Sequence, residues 1–128
     1  MEIATDLQTA LQAASDLAVE ARHQWITPEH LLLAMLMRRT PIPEQRRSGV
    51  AELEVALREY IGNVPPSSDF DKSQVEPDER LQRVMQRAIL GQAIQHYPKV
   101  TDRTVAAMLL DPKASPIALV KNGKVNDV

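Results

Sequence analysis

Residues 7–36 read LQTALQAASDLAVEARHQWITPEHLLLAML, and residues 81–110 read LQRVMQRAILGQAIQHYPKVTDRTVAAMLL. The two stretches align without a gap at a constant offset of 74 positions, which pairs Thr27 with Thr101 at the start of the second helix of each copy. A duplicated helical unit can bury its apolar face against the other copy. The duplication therefore predicts an all-α fold of two pseudo-twofold helical units, with no strand in either copy. It also favours a binding module over an enzyme.

The first copy has the spacing of an amphipathic helix followed by a buried one. Apolar residues recur at three- and four-residue steps over residues 6–23, as on one face of a helix. Thr27 is a good N-cap, and Pro28 suits the first helical position because its missing N–H has no partner to lose there. The helix that follows is nearly all apolar. We therefore expect Leu32 and Leu36 to lie at the centre of the core.

The composition changes between the two copies. Residues 62–77 are rich in Pro, Ser and Asp and have no apolar period, which predicts an irregular, mobile linker. The helix before this linker is expected to stop before Gly62. At the offset of 74 its counterpart would begin at residue 124, so the second unit should lack most of its last helix. The predicted organisation is a single domain, 1–128, made of repeat one (1–61), a linker (62–77) and repeat two (78–128).

Composition and charge limit the classes of partner. Aromatic residues make up 3% of the chain, so the core must be aliphatic, which favours helices. Cysteine is absent, which excludes disulfides and thiolate metal sites. The formal net charge of −2 gives no general attraction to nucleic acid or to anionic membranes. No apolar run approaches the roughly 20 residues that span a bilayer. We expect a monomeric cytoplasmic protein without a nucleic-acid or membrane partner.

Catalytic and cofactor motifs are also missing. The chain has no phosphate-binding G-x-x-x-x-G-K-[ST] loop and no serine in a nucleophile elbow. We therefore expect no enzymatic activity and no cofactor. The three histidines, His23, His30 and His96, have no H-x-x-x-H spacing that would put two ligands on one helix face, so no metal site is expected.

A family signature lies at the start of the second helix, where residues 26–36 read ITPEHLLLAML. This segment resembles the amino-terminal domain of the Clp unfoldases, most closely the ClpA and ClpC branches. Their pattern is Thr-x-Glu-His-Leu-Leu-Leu-Ala-Leu-Leu after a polar pair such as Arg22-His23. Residues 81–88 resemble the opening of the family's second repeat. The resemblance implies an eight-helix, pseudo-twofold domain that binds adaptors and substrates for an ATP-driven ring. We expect either a stand-alone relative or a piece of a longer unfoldase.

The resemblance also assigns protein-binding roles to polar residues at helix starts. In the ClpA branch, the surface for the ClpS adaptor uses positions that match at Glu29 and Arg83. It differs at Gln24, where that branch has an acid, and at Asp78, where it has a threonine. In the ClpC branch, the acid after each capping threonine receives phosphorylated arginine. Glu29 keeps that acid, whereas Arg103 replaces it in repeat two, and one guanidinium does not pair with another.

The two helix starts are therefore expected to bind unlike groups. Glu29, predicted to be partly exposed, should favour cationic groups of a partner, and Arg103 should favour acidic ones. The alternative role for Glu29 is to complement the helix dipole. Trp25 is either a core plug or an exposed anchor. The candidate protein-binding residues are His23, Gln24, Trp25, Glu29, Asp78, Arg83 and Arg103.

The predicted function is a protein-interaction module that binds an adaptor or substrate protein for a Clp-type ATP-dependent unfoldase or protease, or the Clp ATPase or peptidase itself. The alternative is a small helical regulatory protein that contacts nucleic acid through arginine clusters. Charge balance with nearby acids is the simpler explanation of these clusters. They consist of Arg80, Arg83 and Arg87 on one helix face, and of Arg38, Arg39, Arg46 and Arg47 near a break.

Overall fold

The computed structural model describes residues 3–95 and 99–120, and of residues 92–95 it describes the backbone only. The described part is all-α, as predicted, apart from two strands of two residues each. In chain order the elements are α1 (Thr5–Glu20), β1 (Trp25–Ile26), α2 (Pro28–Met37), α3 (Val50–Asn63), β2 (Glu76–Pro77), α4 (Glu79–Gln95) and α5 (Asp102–Leu109). Single 3-10 turns lie at Glu44–Arg46 and Lys72–Gln74.

The helix starts recur at the offset read from the sequence. α4 begins 74 positions after α1, and α5 begins 74 positions after α2. The N-caps of α2 and α5 have nearly the same backbone, with φ −103° and ψ 165° at Thr27 and φ −101° and ψ 164° at Thr101. The Thr27 side chain accepts from the His30 N–H, and the Thr101 side chain accepts from the Thr104 N–H. Both predicted N-caps are confirmed.

The expectation that neither copy contains a strand is wrong. β1 pairs with β2 in parallel, with Trp25 opposite Glu76 and Ile26 opposite Pro77. The cause is that the segment leading into α4 runs beside the turn between α1 and α2. Backbone groups of the two segments can then satisfy each other instead of remaining unpaired.

An equivalent contact joins the other pair of segments, where Ile3 and Val100 form an isolated parallel bridge. The Ala4 N–H donates to the Val100 carbonyl at 2.8 Å, and the Asp78 N–H donates to the Ile26 carbonyl at 2.9 Å. Ala4 and Asp78 are 74 positions apart, and so are Ile26 and Val100. In each unit, the carbonyl of the residue before the capping threonine therefore accepts from the N–H of the residue that precedes the other unit's first helix.

Residues 62–77 are less irregular than predicted. α3 continues through Gly62, so the expected stop before this glycine is wrong, because Gly62 takes helical backbone and not a left-handed cap. The segment beyond α3 is fastened to the turn before α2. The Ser67 N–H donates to the Arg22 carbonyl at 2.9 Å, and the Gln24 side chain bonds both backbone groups of Asp71. These side-chain bonds have no periodic signal in the sequence.

The core is centred on α2, which packs against α1, α3 and α5. Every α2 residue up to Leu36 is buried, and both Leu32 and Leu36 lie in the core as predicted. The second unit contributes Leu81, Leu109, Leu110 and Ile117 to the same core. None of the helices within residues 3–95 and 99–120 has the length and apolar character that crossing a membrane requires.

Candidate functional site

A cleft of about 190 Å³ lies beside the turn between α1 and α2, and we call it the turn cleft. Its walls come from the turn, the start of α2, the end of α3 and the segment after α3. Three of the predicted binding residues line it: His23, Gln24 and Trp25. The remaining lining residues are Thr27, His30, Tyr60, Ile61, Val64, Pro65 and Ser67.

The end of α1 positions His23 at the cleft. Arg22 has a left-handed φ of 58°, and the His23 N–H donates back to the Ala18 carbonyl at 2.8 Å. Together with the bond from the Arg22 N–H to the Val19 carbonyl, this is a Schellman motif, which ends a helix by reversing the chain. The reversal leaves His23 buried behind the turn, with 5% of its surface exposed.

His23 and His30 form a directed chain of hydrogen bonds. The Thr27 N–H donates to Nδ1 of His30 at 2.9 Å, so the ring proton of His30 lies on Nε2. That nitrogen is 3.1 Å from Nδ1 of His23 and donates to it. Nε2 of His23 then donates to the Val64 carbonyl at 3.0 Å. Each ring nitrogen has one role, so both imidazoles are neutral in this arrangement. We call this chain the histidine relay.

Within the histidine relay, His30 resists protonation. The pKa of His30 falls from 6.5 to about 4, because the ring is buried and His23 lies beside it, while the charge of Asp78 opposes the shift. A second proton on His30 would occupy Nδ1 and break the bond from Thr27. Within the described residues no three His, Asp or Glu side chains converge as metal ligands. His96 lies outside the described residues.

The side-chain polar groups of Gln24, Ser67 and the two histidines of the turn cleft bond within the protein. The amide of Gln24 donates to the Asp71 carbonyl at 3.0 Å and accepts from the Asp71 N–H at 2.9 Å. Oγ of Ser67 accepts from the Gln24 N–H at 3.1 Å. Among the described residues, no buried side-chain nitrogen or oxygen lacks a partner. The surface left over for a ligand is therefore mainly apolar.

Large apolar side chains stand at the rim of the cleft. Trp25 is 52% exposed, Tyr60 is 42% exposed and Val64 is 38% exposed, whereas Ile61 of the same cleft is buried. Of the two roles left open for Trp25, the core plug is excluded by this exposure. Tyr60 and Val64 were missed by the sequence analysis, because they belong to α3 and to the segment predicted as a linker.

Glu29 does not line the turn cleft, and the expectation that it is partly exposed is wrong. Its side chain is 3% exposed, and Arg80 binds both carboxylate oxygens, at 2.9 Å from Nη2 and 3.2 Å from Nη1. Arg80 also lies 3.4 Å from Asp78 and donates to the Pro116 carbonyl at 3.2 Å. The cause is that an arginine of α4 covers the start of α2. The protein's own guanidinium thus occupies the carboxylate to which the resemblance assigns phosphorylated arginine.

The offset of 74 contained a signal for this ion pair. The counterpart of Glu29 is Arg103, and the counterpart of Arg80 is Asp6, so the two charges are exchanged between the units. At the matching place, the carboxylate of Asp6 in the first unit accepts from the Asp102 N–H of the second unit at 3.1 Å, at the start of α5. In both units the first turn of one helix covers the start of the other unit's buried helix.

The other predicted site residues lie apart from the cleft. Asp78 caps α4, with Oδ1 accepting from the Leu81 N–H at 2.8 Å. Arg83 is exposed and forms an ion pair with Glu79 on the same helix. Arg103 is exposed in the first turn of α5. The structure therefore joins Asp78 to Glu29 through Arg80 but brings neither Arg83 nor Arg103 to the turn cleft.

The Arg80→Ala substitution is expected to destabilise the protein by about 1–3 kcal/mol, because it leaves the buried Glu29 carboxylate without its partner. This expected loss of stability is smaller than that for breaking a fully buried ion pair, because the Arg80 side chain is 37% exposed. Urea unfolding measures the change. Arg83→Ala, one turn further along α4, is the matched control and should cost at most about 0.5 kcal/mol. Equal effects of the two substitutions would contradict the role given to the buried pair.

Comparison with known proteins agrees with this architecture. A family model for the Clp repeat (R) N-terminal domain matches residues 2–111 of the 128 residues. No curated protein matches the chain. The family match covers both helix pairs and the turn that forms the cleft. The chain therefore belongs to the Clp repeat N-terminal domain family, whose domains serve generally in protein interaction.

Proposed function

We propose that the chain binds an adaptor or substrate protein for a Clp-type ATP-dependent unfoldase or protease, and that the turn cleft is the contact site. The observation that carries the proposal is Trp25, which is 52% exposed at the rim of an apolar cleft. Large aromatic residues beside a pocket are the usual anchors of protein interfaces. The buried α2 and the histidine relay support the cleft walls, which reduces the ordering cost of binding.

The proposal includes no catalytic role and no cofactor. Both histidines of the cleft use all their ring nitrogens in internal hydrogen bonds, so neither has a nitrogen available as a general base.

The division into repeat one (1–61), linker (62–77) and repeat two (78–128) belongs to the proposal too. So do a monomeric state and a cytoplasmic location. A Clp ATPase or peptidase is a further candidate partner.

Ion pairs within both arginine clusters weaken the support for the nucleic-acid alternative. Arg80 is bound by Glu29 and Asp78, and Arg83 is bound by Glu79. In the second cluster, Nη2 of Arg46 lies 3.7 Å from Asp111. Arginines that are already neutralised by carboxylates attract phosphates weakly. Binding of an oligonucleotide that falls log-linearly and steeply with salt would favour this alternative over the turn cleft.

The Trp25→Ala substitution is expected to weaken protein binding by at least about tenfold, because it removes the exposed anchor of the cleft. Two labelled proteins serve as probes in fluorescence anisotropy titrations: a ClpS-type adaptor, and casein as an unfolded substrate. We expect at least one of them to bind the unmodified chain.

Val55→Ala is the matched control, because Val55 is 58% exposed on α3 but does not line the turn cleft. This variant should bind as the unmodified chain does. Circular dichroism confirms that both variants remain folded. If neither probe binds, or if the two substitutions weaken binding equally, the proposed contact site is wrong.

A further inference from the structure

We propose that the turn cleft takes one bulky apolar side chain from an extended segment of the partner, and that basic residues flank this side chain. The inference rests on the proposed function and names the class of segment that the cleft recognises. Three separate features of the cleft support it: its size and lining, the backbone direction of β1, and the charge of the segments around it.

The size and lining of the cleft select a single apolar side chain. Its volume is about 190 Å³, below the roughly 300–1,000 Å³ of pockets that hold drug-sized ligands. The polar atoms of Gln24, Ser67 and the two histidines are bonded within the protein. A polar side chain would lose its hydration there and find no free partner among these four side chains, whereas an apolar one would bury its surface against Trp25 and Ile61.

The backbone of β1 favours an extended partner. The carbonyl groups of Gln24 and Ile26 accept from β2 and from the residue after it, at 3.4 Å from the Glu76 N–H and 2.9 Å from the Asp78 N–H. Backbone groups alternate in direction along a strand, so the N–H and carbonyl of Trp25 point away from β2. An unpaired strand edge is the structure that an added strand of a partner uses. Trp25 therefore presents its side chain to the partner together with its backbone N–H and carbonyl.

The two segments that form most of the cleft carry an excess of acidic residues, all of which lie outside the cleft lining. Between residues 22–27 and 59–76 the basic residues are Arg22 and Lys72, and the guanidinium of Arg22 lies 5.2 Å from the centre of the Phe70 ring. The acids in the same segments are Glu59, Asp69, Asp71 and Glu76, all of them exposed. The net negative charge of these segments favours cationic groups of a partner near the cleft over acidic ones.

The test uses nine-residue peptides with a central leucine and two lysines on each side of it. Trp25 is the only tryptophan of the chain, so its emission reports directly on the cleft. We expect the leucine peptide to shift this emission on binding. Replacing the central leucine by alanine should weaken binding by about tenfold, because most of the buried apolar surface is lost. Replacing the lysines by glutamates should weaken it by about twofold to fivefold at low salt.

Several outcomes would overturn the inference. These are equal binding of the leucine and alanine peptides, binding of the glutamate peptide as tight as that of the lysine peptide, and no emission change with any peptide up to roughly 1 mM. A change of emission with protein concentration alone would show that a second copy of the chain occupies the cleft. If Trp25→Ala still abolishes binding of the adaptor or casein, the proposed function stands and only the class of segment is wrong.

Discussion

Replacement of Leu32 by alanine is expected to lower the free energy of unfolding by about 2–5 kcal/mol. Leu32 is fully buried in α2, and α2 packs against three other helices, so the surrounding structure can collapse only partly into the cavity. Urea unfolding followed by circular dichroism gives the change. This is one of the two largest effects that the structure predicts.

Met37 provides the control from the same helix. It is the last residue of α2, and its side chain is 43% exposed. Met37→Ala should therefore change the free energy of unfolding by less than about 1 kcal/mol. A loss for Leu32→Ala no greater than that for Met37→Ala would show that α2 is not the centre of the core.

The second large effect is a loss of stability in mild acid. The pKa of His30 is about 4 in the folded protein and has its ordinary value of 6.5 in the unfolded chain, so the unfolded chain binds the proton first. The stabilisation from the neutral ring is complete above about pH 7 and falls as the pH drops from 6.5 towards 4. The loss is about 2 kcal/mol at pH 5 and about 3 kcal/mol at pH 4.

His30→Thr is the matched variant, because Thr104 occupies the equivalent position of the second unit and its N–H is bonded by the same cap. Chemical unfolding between pH 7 and pH 4.5 should show a clearly smaller loss of stability for this variant than for the unmodified chain. Parallel pH profiles would mean that the histidine relay does not govern acid stability.

The large features of the fold were predictable from the sequence, because they depend on local patterns. The apolar spacing indicated the helices, and the two capping threonines indicated the starts of α2 and α5. The apolar run after Pro28 indicated the core, including Leu32 and Leu36. Each of these signals lies within one or two helical turns, where propensity, capping and periodicity agree.

The features that the sequence analysis missed depend on contacts between distant segments. The Gln24 side chain bonds the backbone of Asp71, which lies 47 positions away in the chain. The ion pair of Glu29 with Arg80 joins residues 51 positions apart. Neither contact has a periodic pattern. The only signal for this ion pair in the sequence was that Arg103 and Asp6, which lie 74 positions from Glu29 and Arg80, carry the opposite charges.

Only part of the turn cleft's lining was among the candidate residues, because the rest of the lining depends on contacts between distant segments. His23, Gln24 and Trp25 come together because they are consecutive in the turn, whereas Tyr60 and Val64 reach the cleft through the packing of α3. The sequence analysis assigned the difference in binding between the two units to the helix starts at Glu29 and Arg103. In the structure, Arg80 covers Glu29, and the two units differ at another position. Position 30 has a histidine that joins the relay, where the second unit has a threonine.

The most direct test of the turn cleft as the binding site is an amide-resolved NMR titration of the isotope-labelled chain with the adaptor or substrate protein that binds it. We predict that the largest shift changes fall on the amides of residues 24–27 and 60–67. Changes centred instead on Arg83 in α4 or on Arg103 in α5, with the cleft amides unaffected, would contradict the assignment of the turn cleft.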